Sequence, residues 1–355
     1  FNDTATTEIY TSLFVGQRQM CIRDRFEKEY EYDNRGQVTR WEYTSGTGLP
    51  SEAKDRVATY QYDASGNTPY GDVTEAYVTS TGNRARGDEG SWFGYDDEGN
   101  LTLIVQKKRN EAGDVLDAGP SAAFSASDER WIWRLSYDHA NRLVSVEHFD
   151  KAKPNESQGS WSRQFVVRYS YDAEGKLVER REHWDRDADK AANELGQSTD
   201  ADVVQRYLHD GVQVWADLDG NNVVQRRYVH GAGVDDLLAR QDVSGAGKGY
   251  LYLTDRQGSV LALAESGSGK LAKEVRYDGV RAGERHGEVS DRYEYTGRDT
   301  DHRTVLQYNR ARWLHGGSGR FVSEDSLGFA AGDTNLYRYA GNSFPNATDP
   351  SGHII

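Results

Sequence analysis

The chain has 355 residues and a formal net charge of −14 at pH 7, from 43 Lys and Arg against 57 Asp and Glu. This acidic balance argues against a nucleic-acid partner, because phosphate binding depends on a basic surface. The apolar runs are only a few residues long, so the sequence predicts no membrane span. With 37 Gly and 22 Tyr, the composition favours β-structure with many turns.

Residues 1–25 stand apart from the rest of the sequence. They contain the only methionine, Met20, and the only cysteine, Cys21. Residues 17–25 back-translate to nucleotides that resemble the transposon-end adapter of short-read sequencing libraries, the alternative being an ordinary basic loop. We therefore expect residues 1–25 to be an adapter artefact or disordered, and leave them out of the fold prediction.

A Tyr-Asp motif with a turn at its centre recurs five times, at intervals of roughly 30 to 40 residues. Aspartate at the first turn position and a left-handed residue at the fourth are typical of a type I turn extended by one residue. Glycine takes that conformation without a Cβ clash, and asparagine tolerates it better than other residues. The predicted turn residues are Asp33 and Gly36, Asp63 and Gly66, Asp96 and Gly99, Asp138 and Asn141, and Asp172 and Gly175.

Apolar and polar residues alternate in front of these turns. Before the fourth turn, Trp133, Leu135 and Tyr137 alternate with Arg134 and Ser136. A period of two predicts half-buried strands. Each repeat is thus expected to be a hairpin with one aromatic face, which has to stack on its neighbours. The predicted fold is all-β: a curled antiparallel sheet with no helix beyond short turns.

Several other patterns do not support a binding site. Residues 266–270 (SGSGK) lack the first glycine and the Ser/Thr of a phosphate loop. Residues 217–222 (DLDGNN) resemble half of a calcium loop without its distal glutamate. The nine histidines have no metal-ligand spacing. We therefore predict no metal site and no cofactor, and expect the Trp and Tyr rows to be packed in the sheet rather than to bind glycans.

The last third of the sequence carries more specific motifs. They are YTGRD at 295–299, QYNRARW at 307–313, GRFVSED at 319–325, NLYRYAGN at 335–342 and NATDPSG at 346–352. Together they closely resemble the Rhs repeat-associated core, and the upstream units resemble its tyrosine-aspartate (YD) repeats. This resemblance covers nearly everything after residue 26.

The resemblance implies that the repeats wind into part of a hollow β-cocoon. In Rhs proteins and toxin-complex C components such a shell encloses a variable C-terminal toxin, whereas teneurins use a similar shell for adhesion. In the toxin members the core ends at an Asp-Pro-x-Gly-Leu motif and is cut after the leucine by aspartates. The matching residues here are Asp349, Pro350, Ser351, Gly352 and His353.

Two aspartates carry over as the catalytic pair. Asp349 is the aspartate of the motif, and Asp325 matches the upstream one, with Glu324 beside it adding negative charge. Two crowded carboxylates do not both ionise easily, so one can act as an acid while the other activates water or attacks the carbonyl. The alternative is that both aspartates only cap turns. Histidine in the place of leucine puts cleavage in question.

The resulting division of the chain is a shell at residues 26–273, a core at 274–353 and, at 354–355, the start of a variable C-terminal region. One hypothesis is a secreted toxin shell that encloses its own C-terminal effector and releases it near residue 353, at most as a single-turnover aspartyl autoprotease. Its partners would be that effector and a secretion apparatus or the cell envelope. The alternative is a cell-surface adhesion protein that binds glycans or proteins without cleavage.

Overall fold

The computed structural model describes residues 8–9, 26–45, 56–67, 81–87, 90–106, 131–151, 161–185, 202–243 and 247–353. In these residues the chain forms β-strands and four short 3-10 turns, with no α-helix. The predicted all-β fold is confirmed. Most of residues 1–25, expected to be an artefact or disordered, lies outside the described residues.

The strands form three antiparallel sheets, in each of which neighbouring strands follow one another in the chain. The first contains β1 (Glu8–Ile9), β2 (Phe26–Tyr32), β3 (Val38–Ser45) and β4 (Arg56–Thr59). The second, called the large sheet, contains β5 (Ser91–Tyr95), β6 (Leu101–Gln106), β7 (Ile132–Tyr137), β8 (Leu143–Lys151), β9 (Trp161–Tyr171), β10 (Leu177–Trp184), β11 (Val203–Asp210), β12 (Gln213–Asp219), β13 (Val224–His230), β14 (Leu237–Asp242), β15 (Gly249–Thr254), β16 (Val260–Glu265), β17 (Leu271–Asp278) and β18 (Arg281–Gly287). The third, called the C-terminal sheet, contains β19 (Asp299–Asp301), β20 (Leu306–Asn309), β21 (Arg312–His315) and β22 (Arg320–Phe321). The 3-10 turns are Thr81–Asn83, Tyr295–Gly297, Gly328–Ala331 and Ala340–Asn342.

A turn is present at each of the five repeat positions. In the first, the Gly36 N–H donates to the Asp33 carbonyl at 3.0 Å, and the Asp33 side chain accepts from the backbone N–H of Gln37 at 2.9 Å. The fourth residue of every turn has a positive φ: 77° at Gly36, 73° at Gly66, 86° at Gly99, 57° at Asn141 and 84° at Gly175. Aspartate therefore caps the turn while the fourth residue supplies the left-handed conformation that closes it.

The alternation that predicted the strands holds only in part. In β7, Leu135 is buried and Arg134 and Ser136 are exposed. Ile132, on the other face, is also buried, and so is its cross-strand partner Val105 of β6. The large sheet therefore covers apolar side chains on both faces here, and not only on the predicted aromatic face.

The C-terminal sheet packs against one face of the large sheet. Trp313 of β21 lies 4.5 Å from Tyr169 of β9, measured between ring centroids, and its indole N–H donates to the Tyr171 hydroxyl at 3.0 Å. Leu306 and Val322 belong to the same buried cluster. Buried aromatic pairs of this kind stabilise a fold beyond the apolar area they cover. The residues after β18 are thereby fixed on the large sheet.

The predicted boundary between shell and core falls within a strand of the large sheet. β17 runs through residue 274, where the shell was predicted to meet the core, and the large sheet continues to Gly287. No helix in the described ranges has the length and hydropathy needed to cross a bilayer.

Candidate functional site

The predicted cleavage motif folds back onto the hairpin of β20 and β21. The Asn309 side-chain amide donates to the Asp349 carbonyl at 2.7 Å, and the Ala311 N–H donates to the Ser351 carbonyl at 3.1 Å. The Arg310 guanidinium donates to the Pro350 carbonyl. The motif is therefore held mainly through its backbone, by the residues at the tip of one hairpin.

Gly352 marks the closest approach of these two segments. Its φ is 76°, and an added Cβ would overlap the Asn309 carbonyl oxygen and the Arg312 backbone nitrogen. Only glycine combines this conformation with the absence of a Cβ. The glycine of the motif is thus required by the packing.

Both predicted catalytic aspartates begin turns. Asp325 Oδ1 accepts from the Leu327 N–H at 2.9 Å. Asp349 Oδ1 accepts from the N–H groups of Gly352 and His353 at 2.8 and 3.1 Å. Turn capping, the alternative role considered for these residues, is therefore part of their geometry.

Arg312 joins the two aspartates into one site. Its Nη2 atom lies 2.8 Å from Asp325 Oδ2 and 3.4 Å from Asp349 Oδ2. The three side chains are nearly buried, with 5%, 5% and 3% exposure for Arg312, Asp325 and Asp349. The structure thus brings together two residues that are 24 positions apart in sequence, and does so through a guanidinium that sequence analysis had not assigned.

The environment of Arg312 explains how a buried cation is tolerated. Its guanidinium lies 3.7 Å from the centre of the Phe321 ring, and its Nη1 atom donates to the Leu336 carbonyl at 2.8 Å. Burial lowers the pKa of Arg312, and the two carboxylates act in the opposite direction. Since arginine ionises far above neutral pH, the group stays charged. One positive charge is therefore shared by two carboxylates.

His353 contacts the aspartate pair directly. Its Nδ1 atom lies 3.1 Å from Asp325 Oδ1, and its side chain is 29% exposed. The residue in the leucine position of the motif thus places a titratable ring against one of the two carboxylates.

Glu324 is turned toward other partners. Its Oε1 atom lies 3.3 Å from the Arg84 guanidinium and accepts from the Tyr337 hydroxyl at 3.1 Å. The negative charge expected beside Asp325 is therefore directed to a different ion pair.

Two cavities adjoin the site. A small one of about 20 Å³ is lined by Arg312, Asp325, Asp349 and His353 among others, which is room for a single water. A larger one of about 470 Å³ is lined in part by Arg312, Ser351 and His353. Water can thus be accommodated beside both carboxylates.

Only part of this site could be identified from the sequence. Asp325 and Asp349 were found by matching motifs. Arg312 lies inside the motif at 307–313, but nothing in its sequence neighbourhood indicated that it faces both aspartates. That contact depends on three separated segments meeting, which no local pattern encodes.

No family model matches the chain. Among curated proteins, it is 28% identical over 235 residues to the tRNA3(Ser)-specific nuclease WapA of Bacillus spizizenii, covering 62% of this chain and 10% of WapA. It is 25% identical over 398 residues to the toxin protein Tse5 of Pseudomonas aeruginosa, covering 93% of this chain and 27% of Tse5. The chain therefore spans between about a tenth and a quarter of the length of these relatives.

Among solved structures, the chain is similar to the TcdB2-TccC3-TEV crystal structure, with a TM-score of 0.41 and 16% identity. That match covers 92% of this chain and 18% of the other. Similarity at this level adds nothing to the fold described above.

Proposed function

We propose that the chain is part of the shell of a secreted bacterial toxin, which encloses its own C-terminal effector and frees it by cutting the chain after His353. The observation that carries this proposal is the meeting of Asp325 and Asp349 on one buried guanidinium, directly beside the motif. Turn capping alone does not require the two carboxylates to share a cation. The relatives named as toxins or nucleases support the same class of protein.

The acid and base roles follow from the charges of the three groups. Two carboxylates and Arg312 carry a net charge of −1 when all are ionised. Uptake of one proton by either carboxylate leaves one ion pair and one neutral acid, which is the division of roles that hydrolysis needs. The shared guanidinium keeps the ionised carboxylate in place.

Hydrolysis then proceeds with one water molecule. The ionised carboxylate accepts a proton from this water as its oxygen attacks the carbonyl carbon of His353. The protonated carboxylate gives its proton to the nitrogen of residue 354 as the C–N bond breaks. The products are a new carboxylate at residue 353 and a new amine at residue 354.

The motif is suitably placed for this reaction. The His353 N–H donates to Asp349 Oδ1 at 3.1 Å, so the carboxylate is one residue from the bond to be cut. The backbone contacts of Asn309 and Ala311 hold the same segment against the hairpin. Fixing the reacting group near a catalytic pair lowers the barrier by removing the cost of orientation.

The test uses the full-length protein with an affinity tag at its C-terminus, analysed on a denaturing gel. We expect the wild type to release a tagged fragment on folding, and Asp325→Asn and Asp349→Asn each to stay intact. Asparagine keeps an acceptor for the turn, so a loss of release reports on the charge and not on the cap. A wild-type chain that stays intact would contradict the proposal.

Asp172→Asn is the matched control. Asp172 caps a repeat turn by accepting from the N–H groups of Glu174 and Lys176 at 2.9 and 2.8 Å. Because it lies outside the aspartate pair, this variant should release the fragment at the wild-type rate. Equal losses in Asp172→Asn and Asp325→Asn would show that loss of any turn aspartate charge reduces release, and would contradict a specific role for the aspartate pair.

A second candidate function is adhesion at the cell surface. Nine of the thirteen large apolar side chains that are exposed in the described ranges lie between residues 208 and 251. Trp215, 43% exposed, is among them, and exposed indole rings can stack on sugars. This function predicts glycan binding that Trp215→Ala abolishes, measured on a glycan array with the uncleaved protein, and no C-terminal release.

A further inference from the structure

We infer that His353 is a positioning residue that makes release depend on pH, with its charged form holding Asp325 inactive. This inference rests on the proposed function. It arises from the contact between His353 Nδ1 and Asp325 Oδ1 at 3.1 Å. A leucine at this position would leave that carboxylate oxygen without the contact.

The bonds to Asp325 determine what protonation of His353 does. With the ring neutral, the carboxylate already accepts from the Leu327 N–H on Oδ1 and from Arg312 on Oδ2. A protonated ring adds a second cation within hydrogen-bond distance. A carboxylate held between two cations is a poor base, because proton uptake would cost it both ion pairs.

The charges around His353 set the sign of the effect. Beside Arg312, Asp325 and Asp349, the charged groups that line the two adjoining cavities include Asp333, Arg338, Arg310 and Glu324. The larger cavity is also lined by His209 and His230, by Asp235 and Arg298, and by Arg292, Lys176 and Arg142, which pair with Asp299, Glu174 and Asp138. Asp333 pairs with Arg338 at 2.8 Å, Arg310 with Asp235 at 2.7 Å and Glu324 with Arg84 at 3.3 Å. Asp325, Asp349 and Arg312 are therefore left as a group whose charge is −1 when both carboxylates are ionised, and a protonated ring adds one positive charge to it.

The two protonation states thus differ at the reacting groups. With the ring neutral, one carboxylate can take up the proton that hydrolysis needs, while the other, held only by Arg312, is available as a base. With the ring protonated, Asp325 is tied to both Arg312 and His353, and the positive charge of the ring opposes proton uptake by the aspartate pair. Because histidine is the side chain that normally titrates between pH 5 and 8, release should switch on across that interval.

The experiment measures the rate of release of a C-terminal tag from the full-length protein between about pH 5.5 and about pH 7.5. We expect the wild-type rate to rise about tenfold over this range, because histidine side chains in general change charge between pH 5 and 8. His353→Leu should have a flat profile and should be about tenfold faster than the wild type at about pH 5.5. His353→Asn, which keeps a neutral donor near the Nδ1 position, should also be flat.

His139→Leu is the matched control, because His139 is an exposed histidine in the fourth repeat turn. It should retain the wild-type rise. A flat wild-type profile, or a rise that persists in His353→Leu, would overturn the inference while leaving the proposed cleavage in place. If neither the wild type nor His353→Leu releases the tag at any pH, the proposed function fails and this inference with it.

Discussion

A single buried cation, Arg312, connects the two aspartates of the candidate site. Each carboxylate is capped by backbone N–H groups of its own turn. What the two share is Arg312, which also donates to the Leu336 carbonyl. A planar guanidinium can make these contacts in different directions at once, which a lysine ammonium on a flexible stem does not reproduce.

Arg312→Lys is therefore expected to slow release even though it keeps the charge. We expect a loss of about 10- to 100-fold, because the ammonium cannot hold both carboxylates and the carbonyl in the same arrangement. The time course of tag release on a denaturing gel measures this. Arg163→Lys is the control, since Arg163 also bridges two acidic residues, Glu147 and Asp185, but in a half-exposed place away from the site. Wild-type release by Arg312→Lys would exclude a positioning role for the guanidinium.

At the scale of elements, the repeat turns do more than reverse the chain. The Asn100 side chain donates to Asp96 Oδ2 at 3.0 Å within its own turn, and to Asn141 Oδ1 in the next turn at 2.9 Å. Asn67 similarly donates to Asp63 Oδ2 and to Asn83. The polar residue that follows the left-handed position thus connects one turn to its neighbour.

Asn141 separates these two roles experimentally. Asn141→Gly keeps the φ of 57° accessible and removes only the bond from Asn100, so we expect a loss of about 1 kcal/mol in the free energy of unfolding. Asn141→Ala also forces a residue with a Cβ into the left-handed region, for a further loss of about 1 to 2 kcal/mol. Urea unfolding measures both, with Ala140→Gly in the same turn as the control for an added glycine. Equal stability of the two Asn141 variants would show that the backbone conformation contributes nothing.

Local sequence patterns predict turns and strands, but they do not predict which distant segments come into contact. The turns at Asp33 and Asp172 and the strands between them could be predicted, because turn chemistry and period-two alternation are local. The pairing of Asp325 with Asp349 followed from a resemblance, not from local physics. The roles of Arg312 and His353 could not be predicted, because they depend on how β21, the turn after β22 and the C-terminal segment meet.

The contacts that hold the C-terminal sheet on the large sheet could not be predicted from the sequence either. Asp301 of β19 accepts from Arg180 Nε of β10 at 2.7 Å and from the Tyr169 hydroxyl of β9 at 2.6 Å. These residues are more than 120 positions apart in sequence. Nothing in the local sequence at 299–301 (DTD) indicates that the partners of Asp301 lie on another sheet.

This ion pair should make the docking of the two sheets sensitive to acid. Burial by itself would raise the pKa of Asp301, but the Arg180 guanidinium, together with hydrogen bonds from the Tyr169 hydroxyl and the Arg303 N–H, outweighs it and lowers the pKa from 3.8 to about 2. A carboxyl with a lowered pKa in the folded state stabilises the fold above its unfolded value. That contribution is lost as the pH falls from about 4 toward about 2.

Asp301→Asn tests this linkage across the whole molecule. At pH 7 the variant should be less stable by about 2 kcal/mol, the free energy that corresponds to a shift of this size. The difference from the wild type should shrink as urea unfolding is repeated toward about pH 3, because the wild-type carboxylate then takes up a proton and loses the same ion pair. Glu174→Gln, at a glutamate 73% exposed and paired with Lys176, should show no such trend, since exposed pairs contribute little. A stability difference for Asp301→Asn that stays constant with pH would mean that the two sheets are held by aromatic packing around Trp313 and not by this charge. Because this effect falls below about pH 4, whereas release is expected to change between about pH 5.5 and about pH 7.5, loss of docking and loss of release should occur in separate pH intervals.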